Sequence, residues 1–274
     1  MSGVLPPLRE VIAAHGLAAR KSLGQHFLLD LNLTRKIVRA AGVSPGDPVL
    51  EIGPGPGGLT RALLEAGAQV TAVERDRRCL AALEELGAAF PGKLRLLEGD
   101  ALKLDESAEI GAAGPVKIIS NLPYNISTEL LVKWLRAGPS LWSSMALMFQ
   151  KEVADRILAA PGSKTYGRLS VIAQAASAPR RAFDLPARAF TPPPKVDSSV
   201  ILFAPPAATT TNLSALERVT QAAFGQRRKM LRSSLKPVFG ADLEVLLAEA
   251  GLTSTMRAEE VDVDGYIRLA EAAA

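Results

Sequence analysis

A chain of 274 residues, 48% apolar and 22% charged, is long enough to bury one substantial core and a smaller second one. Its single cysteine, Cys79, excludes an internal disulfide and a cysteine-rich zinc site, and no run of about 18 uncharged apolar residues offers a transmembrane helix. Met1–Glu10 lacks a basic segment followed by an apolar run, so no secretory signal is expected and the cytoplasm is the default compartment; a net charge of +4 fits a polyanionic partner without demanding one.

In chain order, Arg20–Leu29 reads as an irregular basic segment and Asp30–Ala41 as a helix. Short β-like runs follow at Pro48–Ile52, Gln69–Glu74, Lys93–Glu98, Val116–Ser120 and Met145–Phe149. Between them, Leu59–Ala66, Arg77–Ala88 and Ser127–Ala137 carry apolar residues at helical spacing. Strands alternating with helices of this length predict an α/β fold, a doubly wound, mostly parallel sheet covered on both faces. Lys151–Ala160 reads as a helix, and Phe190–Pro194 as a Pro-rich turn leading into a strand at Ser199–Phe203. Ala204–Thr211 has the composition of a linker, and Leu213–Ala274 shows only helical patterns, broken at Gly225, Pro237, Gly240 and Gly251. The expected division is a catalytic domain at 1–206 and a small helical domain at 207–274.

Val49–Gly58 is a strand, a glycine-rich turn and a helix start. Gly53, Gly55 and Gly58 match the spacing of a nucleoside-binding loop, and Glu74 ends the next strand, where a ribose-binding acid belongs. The glycines let the backbone approach a nucleoside, and the carboxylate accepts from ribose hydroxyls. The motif alone indicates an adenosine-containing cofactor without saying which. Asp100, after the third strand, could accept from an adenine amine, which favours S-adenosylmethionine.

Ser120-Asn121-Leu122-Pro123-Tyr124 follows the fourth strand, at the carboxyl edge where open α/β sheets bind ligands. An adenine amine is a poor nucleophile because its lone pair is delocalised into the ring. The Asn121 side-chain oxygen and the Leu122 carbonyl are acceptors that would draw on both N–H groups and localise that pair. Pro123 stiffens the turn, and Tyr124 offers a ring on which a base can stack.

At this point the sequence resembles the small-subunit ribosomal RNA adenine dimethyltransferases. The likeness is carried by Lys21-Ser22-Leu23-Gly24-Gln25-His26-Phe27-Leu28, Glu51–Gly58, Asn121-Leu122-Pro123-Tyr124 and Phe190–Ser199. The resemblance implies N6,N6-dimethylation of two adjacent adenosines in a hairpin loop near the 3′ end of small-subunit rRNA. It implies cofactor contacts at His26, Leu28, Gly53, Glu74, Asp100 and Asn121, with Gln25 and Gly55 counted beside them. It also implies that Phe190 meets the second face of the flipped adenine. The family usually has Asn where this chain has His26; an imidazole can still donate or accept one hydrogen bond.

Phe224–Lys236 concentrates five cations, Arg227, Arg228, Lys229, Arg232 and Lys236, on what reads as one helix, a candidate surface for RNA phosphates. Arg20 and Lys21 would add to it. Acidic residues offset these charges elsewhere beyond Ala207, so the positive charge is local. The expected partner is small-subunit rRNA or a partly assembled small subunit, met by a monomer with no membrane attachment and no metal. Three other readings stay open: a large-subunit methyltransferase of the macrolide-resistance type, a non-catalytic ribosome-assembly factor, and a nicotinamide oxidoreductase. The last lacks a hydride-handling acid, because both histidines, His15 and His26, precede the glycine loop.

Overall fold

The apolar strand runs between residues 48 and 150 have no polar face to show to water, and the fold satisfies them by covering both sides of one sheet. A computed structural model describes residues 5–20, 24–110, 114–206 and 212–274. Lys21, Ser22 and Leu23 of the first motif, and residues 207–211 of the linker expected at Ala204–Thr211, lie outside the described residues. Helix α1 (Leu8–Ala14), the short strand β1 (Phe27–Leu28) and helix α2 (Leu31–Ala40) precede the sheet. Asp30 starts α2 by accepting from the Asn32 amide at 2.8 Å, an N-cap worth about 1 kcal/mol. Then come β2 (Pro48–Ile52), α3 (Gly58–Glu65), β3 (Gln69–Glu74), α4 (Leu80–Ala88), β4 (Leu94–Glu98) and α5 (Glu106–Ile110). The chain continues with β5 (Val116–Ser120), α6 (Ser127–Ala137), β6 (Trp142–Gln150), α7 (Lys151–Ile157), α8 (Arg168–Ala176), β7 (Ala178–Leu185), β8 (Phe190–Thr191) and β9 (Ser198–Ala204).

Seven strands form one sheet in the order β4-β3-β2-β5-β6-β9-β7, while β8 pairs with β1 in a separate ribbon. The strands β2 to β6 run parallel, and β9 lies antiparallel to β6. Winding reverses between β2 and β5, so a crevice opens at their carboxyl ends. The Ser120 hydroxyl donates to the Ile52 carbonyl at 2.5 Å and joins the two strand ends there. Ile37 and Val38 of α2 and Ala62 and Leu63 of α3 share a core with Val49, Val70, Ile119 and Met148. Each fully buried aliphatic side chain of this kind contributes about 1.5–3 kcal/mol. The buried indoles of Trp134 and Trp142 are both satisfied, donating to the Glu106 carboxylate and to the Trp134 carbonyl at 2.8 Å each.

The chain divides into two compact units, Met1–Lys151 with Arg181–Phe203, and Glu152–Arg180 with Ala204–Ala274. This differs from the expected division at residue 206. Tyr166, Val171 and Ala175 share one core with Leu216, Val219 and Tyr266, so the excursion after β6 belongs with the helical unit. That unit also holds α9 (Leu213–Gly225), α10 (Leu231–Ser234), α11 (Lys236–Phe239), α12 (Leu243–Glu249) and α13 (Val263–Ala272). The break expected at Gly225 is present, and the single helix expected over Phe224–Lys236 is corrected. It is broken after Gly225, where residues 226–229 form a turn and Met230 bridges to Arg257 before α10 begins. Main-chain bonds from Leu231 N to Met256 O (2.7 Å) and from Arg232 N to Ser254 O (3.0 Å) hold the break open.

Candidate functional site

The loop after β2 and the loop after β5 meet over the carboxyl ends of the sheet. A cavity open to solvent lies between them. Gly24–Leu28, Glu51–Pro56, Glu74, Asp100 and Asn121–Ile126 are among the residues that line it. The sequence therefore brings together in one cavity Gln25, His26, Leu28, Gly53, Gly55, Glu74, Asp100, Asn121, Leu122, Pro123 and Tyr124.

The glycine loop needs its glycines. Gly55 has φ +56°, and a Cβ there would stand 3.2 Å from the Phe27 ring. A Cβ on Gly58 would come within 2.7 Å of the Leu28 carbonyl, so this position lets the β1 segment lie against the start of α3. Glu74, only 4% exposed, is held by two main-chain donors: Gly55 N at 2.9 Å and Asp76 N at 2.7 Å. Burial nonetheless pushes its carboxyl above the usual range, the two N–H groups opposing the shift. Each oxygen keeps lone-pair capacity for a further donor. Asp100 accepts from Leu102 N at 3.1 Å and lies 3.4 Å from the Arg75 guanidinium.

Gln25 sits in the cavity wall with both ends of its amide taken. It donates to Asp76 at 3.1 Å and accepts from Arg20 N at 2.9 Å. Asp76 is also paired with Arg78 at 2.5 Å, and this partner holds its carboxyl down at about 2. Arg78 in turn donates to the Ala18 carbonyl at 3.2 Å. Ala18, Arg20 and Gln25 are thus tied to Asp76 and Arg78, just past the end of β3.

Asn121 donates through Nδ2 to the His26 carbonyl at 3.1 Å, which leaves its oxygen without a protein partner among the described residues. The Tyr124 hydroxyl shares a 2.6 Å bond with Ser198, and its ring packs on His26 with centroids 5.5 Å apart. The expectation for Phe190 is corrected. Its ring is 2% exposed and belongs to the sheet core, because pairing of β8 with β1 sets Phe190 opposite Leu28. The structure does not place it in the cavity.

Two residues that the sequence reading gave no site role join the site. Ser198, quoted only within the Phe190–Ser199 likeness, holds Tyr124 from a strand 74 residues away. Glu51 is the second. It lines the cavity, is 1% exposed, and its Oε2 has no partner among the described residues. Burial, with the charge of Glu74 added, pushes its carboxyl up to about 8. An acid within the apolar run Val49-Leu50-Glu51-Ile52 of a central strand was the available clue. Among the described residues no cluster of His, Cys, Asp and Glu is placed to hold a metal ion.

The cation cluster lies in the helical unit. Arg228, Lys229, Arg232 and Lys236 are exposed. Arg227 is half-buried, paired with Glu259 at 2.6 Å and donating to the Ser163 carbonyl at 3.1 Å. Its guanidinium is committed to the unit's own structure.

The model of the ribosomal RNA adenine dimethylases matches residues 16–274. The chain belongs to that family. It is 58% identical over 270 residues to ribosomal RNA small subunit methyltransferase A of Chelativorans sp. (strain BNC1), covering 97% of each chain. It is 59% identical over 270 residues to the protein of the same name from Phenylobacterium zucineum (strain HLK1), covering 98% of this chain and 93% of that one. Among solved structures it is similar to a dimethyladenosine transferase from Plasmodium falciparum (TM-score 0.75, 26% identity, 89% of this chain and 96% of that one). It is also similar to the 23S rRNA methyltransferase ErmE (TM-score 0.67, 26% identity, 90% of this chain and 98% of that one). This member of the family is an S-adenosylmethionine-dependent methyltransferase on a doubly wound, mostly parallel sheet with a helical C-terminal part. The cavity fits that cofactor: a glycine cradle that a Cβ would fill, a buried acid at the end of β3, and a buried Glu51 oxygen without a partner among the described residues.

Proposed function

We propose that this chain methylates N6 of two adjacent adenosines in a hairpin loop near the 3′ end of small-subunit rRNA, giving N6,N6-dimethyladenosine. The observation that carries the reading is the Asn121–Tyr124 turn opening into the same cavity as the glycine loop. Names of relatives 58–59% identical along nearly the whole chain favour the small-subunit substrate over the large-subunit one. When bound, the cofactor supplies an electrophilic methyl on a cationic sulfur. Glu74 would hold ribose hydroxyls, Asp100 the adenine amine, and Glu51 the cofactor's positive charge. Asn121 Oδ1 and the Leu122 carbonyl accept from the two N–H groups of the target amine and concentrate its lone pair on nitrogen. No general base is needed, because the proton leaves an amine that has already become cationic. Tyr124 supplies the stacking surface. Arg228, Lys229, Arg232 and Lys236 serve rRNA phosphates, and the enzyme acts as a monomer in the cytoplasm. No helix among the described residues is long and apolar enough to cross a membrane.

Two expected results concern the cofactor end. Glu74→Ala weakens S-adenosylmethionine binding about 10- to 150-fold in calorimetry, the cost of leaving ribose hydroxyls unpaired. Unchanged affinity would remove Glu74 from the site. Glu51 is protonated near neutral pH in the free protein, whereas a cationic ligand favours its ionised form. Cofactor affinity therefore rises with pH, by up to about tenfold per unit, and levels off above about 8. Calorimetry in buffers of different ionisation enthalpy should show proton release on binding that Glu51→Gln removes. Equal proton release in that variant contradicts the assignment.

The reaction itself is tested by incubating the protein with labelled S-adenosylmethionine and unmethylated small subunits, then digesting the rRNA. N6,N6-dimethyladenosine detected by mass spectrometry supports the reading. Label found only in large-subunit rRNA, when that is supplied, would overturn it.

A further inference from the structure

We infer that His26 is a positioning residue for the target base, locking the Tyr124 ring to the 190–194 turn. The side chain makes two contacts at once. Its Nδ1 lies 2.7 Å from the Pro192 carbonyl, and its ring packs on Tyr124 at 5.5 Å between centroids, tilted by 30°. A carbonyl can only accept, so Nδ1 carries the proton, and the tautomer and ring plane are set by that bond. The ring separation falls in the range where aromatic pairs attract.

Tyr124 is consequently gripped from two directions by one stretch of chain. Ser198, at the start of β9, holds its hydroxyl at 2.6 Å, and Pro192, after β8, holds the ring through His26. The main chain of His26 serves the neighbouring acceptor as well, since its carbonyl takes the Asn121 amide at 3.1 Å. That last bond survives any substitution at position 26; the two side-chain contacts do not. The side chain thus acts on the base platform, while the backbone acts on the amide. A ring 5.5 Å from Tyr124 leaves no room for a base between them, so His26 buttresses the platform and the base occupies the tyrosine's other side. The inference rests on the reading that Tyr124 stacks the adenine.

Variants at this position separate the contacts. His26→Asn keeps a donor for Pro192 without a ring, His26→Phe keeps a ring without a donor, and His26→Ala removes both. Turnover on unmethylated small subunits and calorimetric affinity for S-adenosylmethionine are measured for each, beside Tyr124→Ala. His26→Ala should lower kcat about 10- to 100-fold with cofactor Kd within about twofold of native, and the other two should fall between. His26→Ala with near-native kcat, while Tyr124→Ala is impaired, overturns the inference alone. Cofactor affinity lost in step with kcat also overturns it, because His26 would then be a cofactor contact. A fully active Tyr124→Ala protein removes the stacking reading beneath it.

Discussion

Asn121→Ala is expected to lower single-turnover methylation at saturating cofactor about 100- to 1,000-fold, roughly 2.7–4 kcal/mol in the barrier. The amide is held at its nitrogen by the His26 carbonyl at 3.1 Å, so its oxygen is oriented before substrate arrives. An acceptor fixed in advance pays no reorganisation when charge develops on the attacking nitrogen, which is why its loss falls on the chemical step. The variant also leaves the His26 carbonyl without its donor, a stability loss of about 1 kcal/mol that a melting curve would register. Turnover within tenfold of native would mean that the Leu122 carbonyl suffices alone.

Tyr124→Ala should lower turnover about 10- to 150-fold, matching about 1–3 kcal/mol for stacking one base, while cofactor affinity stays native. Tyr124→Phe keeps the ring but loses the 2.6 Å bond to Ser198, and should retain most of the rate. Burial raises the phenol above its ordinary value, so the hydroxyl stays protonated through the working range and cannot serve as a base. A Phe variant as impaired as the Ala variant would shift the role of Tyr124 from its face to its hydroxyl.

The parallel strands were legible because burial on both faces leaves a continuous apolar run, as in Met145–Phe149. The edge strand β7 was not legible: Arg180, Arg181 and Asp184 interrupt any apolar run, although charges suit a strand with one open side. The glycine loop and Glu74 could be read from spacing alone, since their geometry is local to one βαβ unit. Glu51 was not singled out, although an acid in a central strand covered on both faces has no solvent side to turn to. The Phe190 expectation came from family likeness, and the pairing of Phe190 with Leu28 across β1 and β8 turns that ring into the core. His26 with Pro192, and Tyr124 with Ser198, join residues far apart in sequence, and no local pattern announces such pairs. In the helical unit, the charge and a break at Gly225 were both legible, but the pairing of Arg227 with Glu259 was not, so Arg227 was counted with the four exposed cations.

The most direct measurement is a crystal structure of the protein with S-adenosylmethionine bound. The predicted result has the transferable methyl directed at the space bounded by Asn121 Oδ1, the Leu122 carbonyl and the Tyr124 ring, with the ribose on Glu74. A methyl directed away from that turn, with the ribose elsewhere than Glu74, would contradict the account.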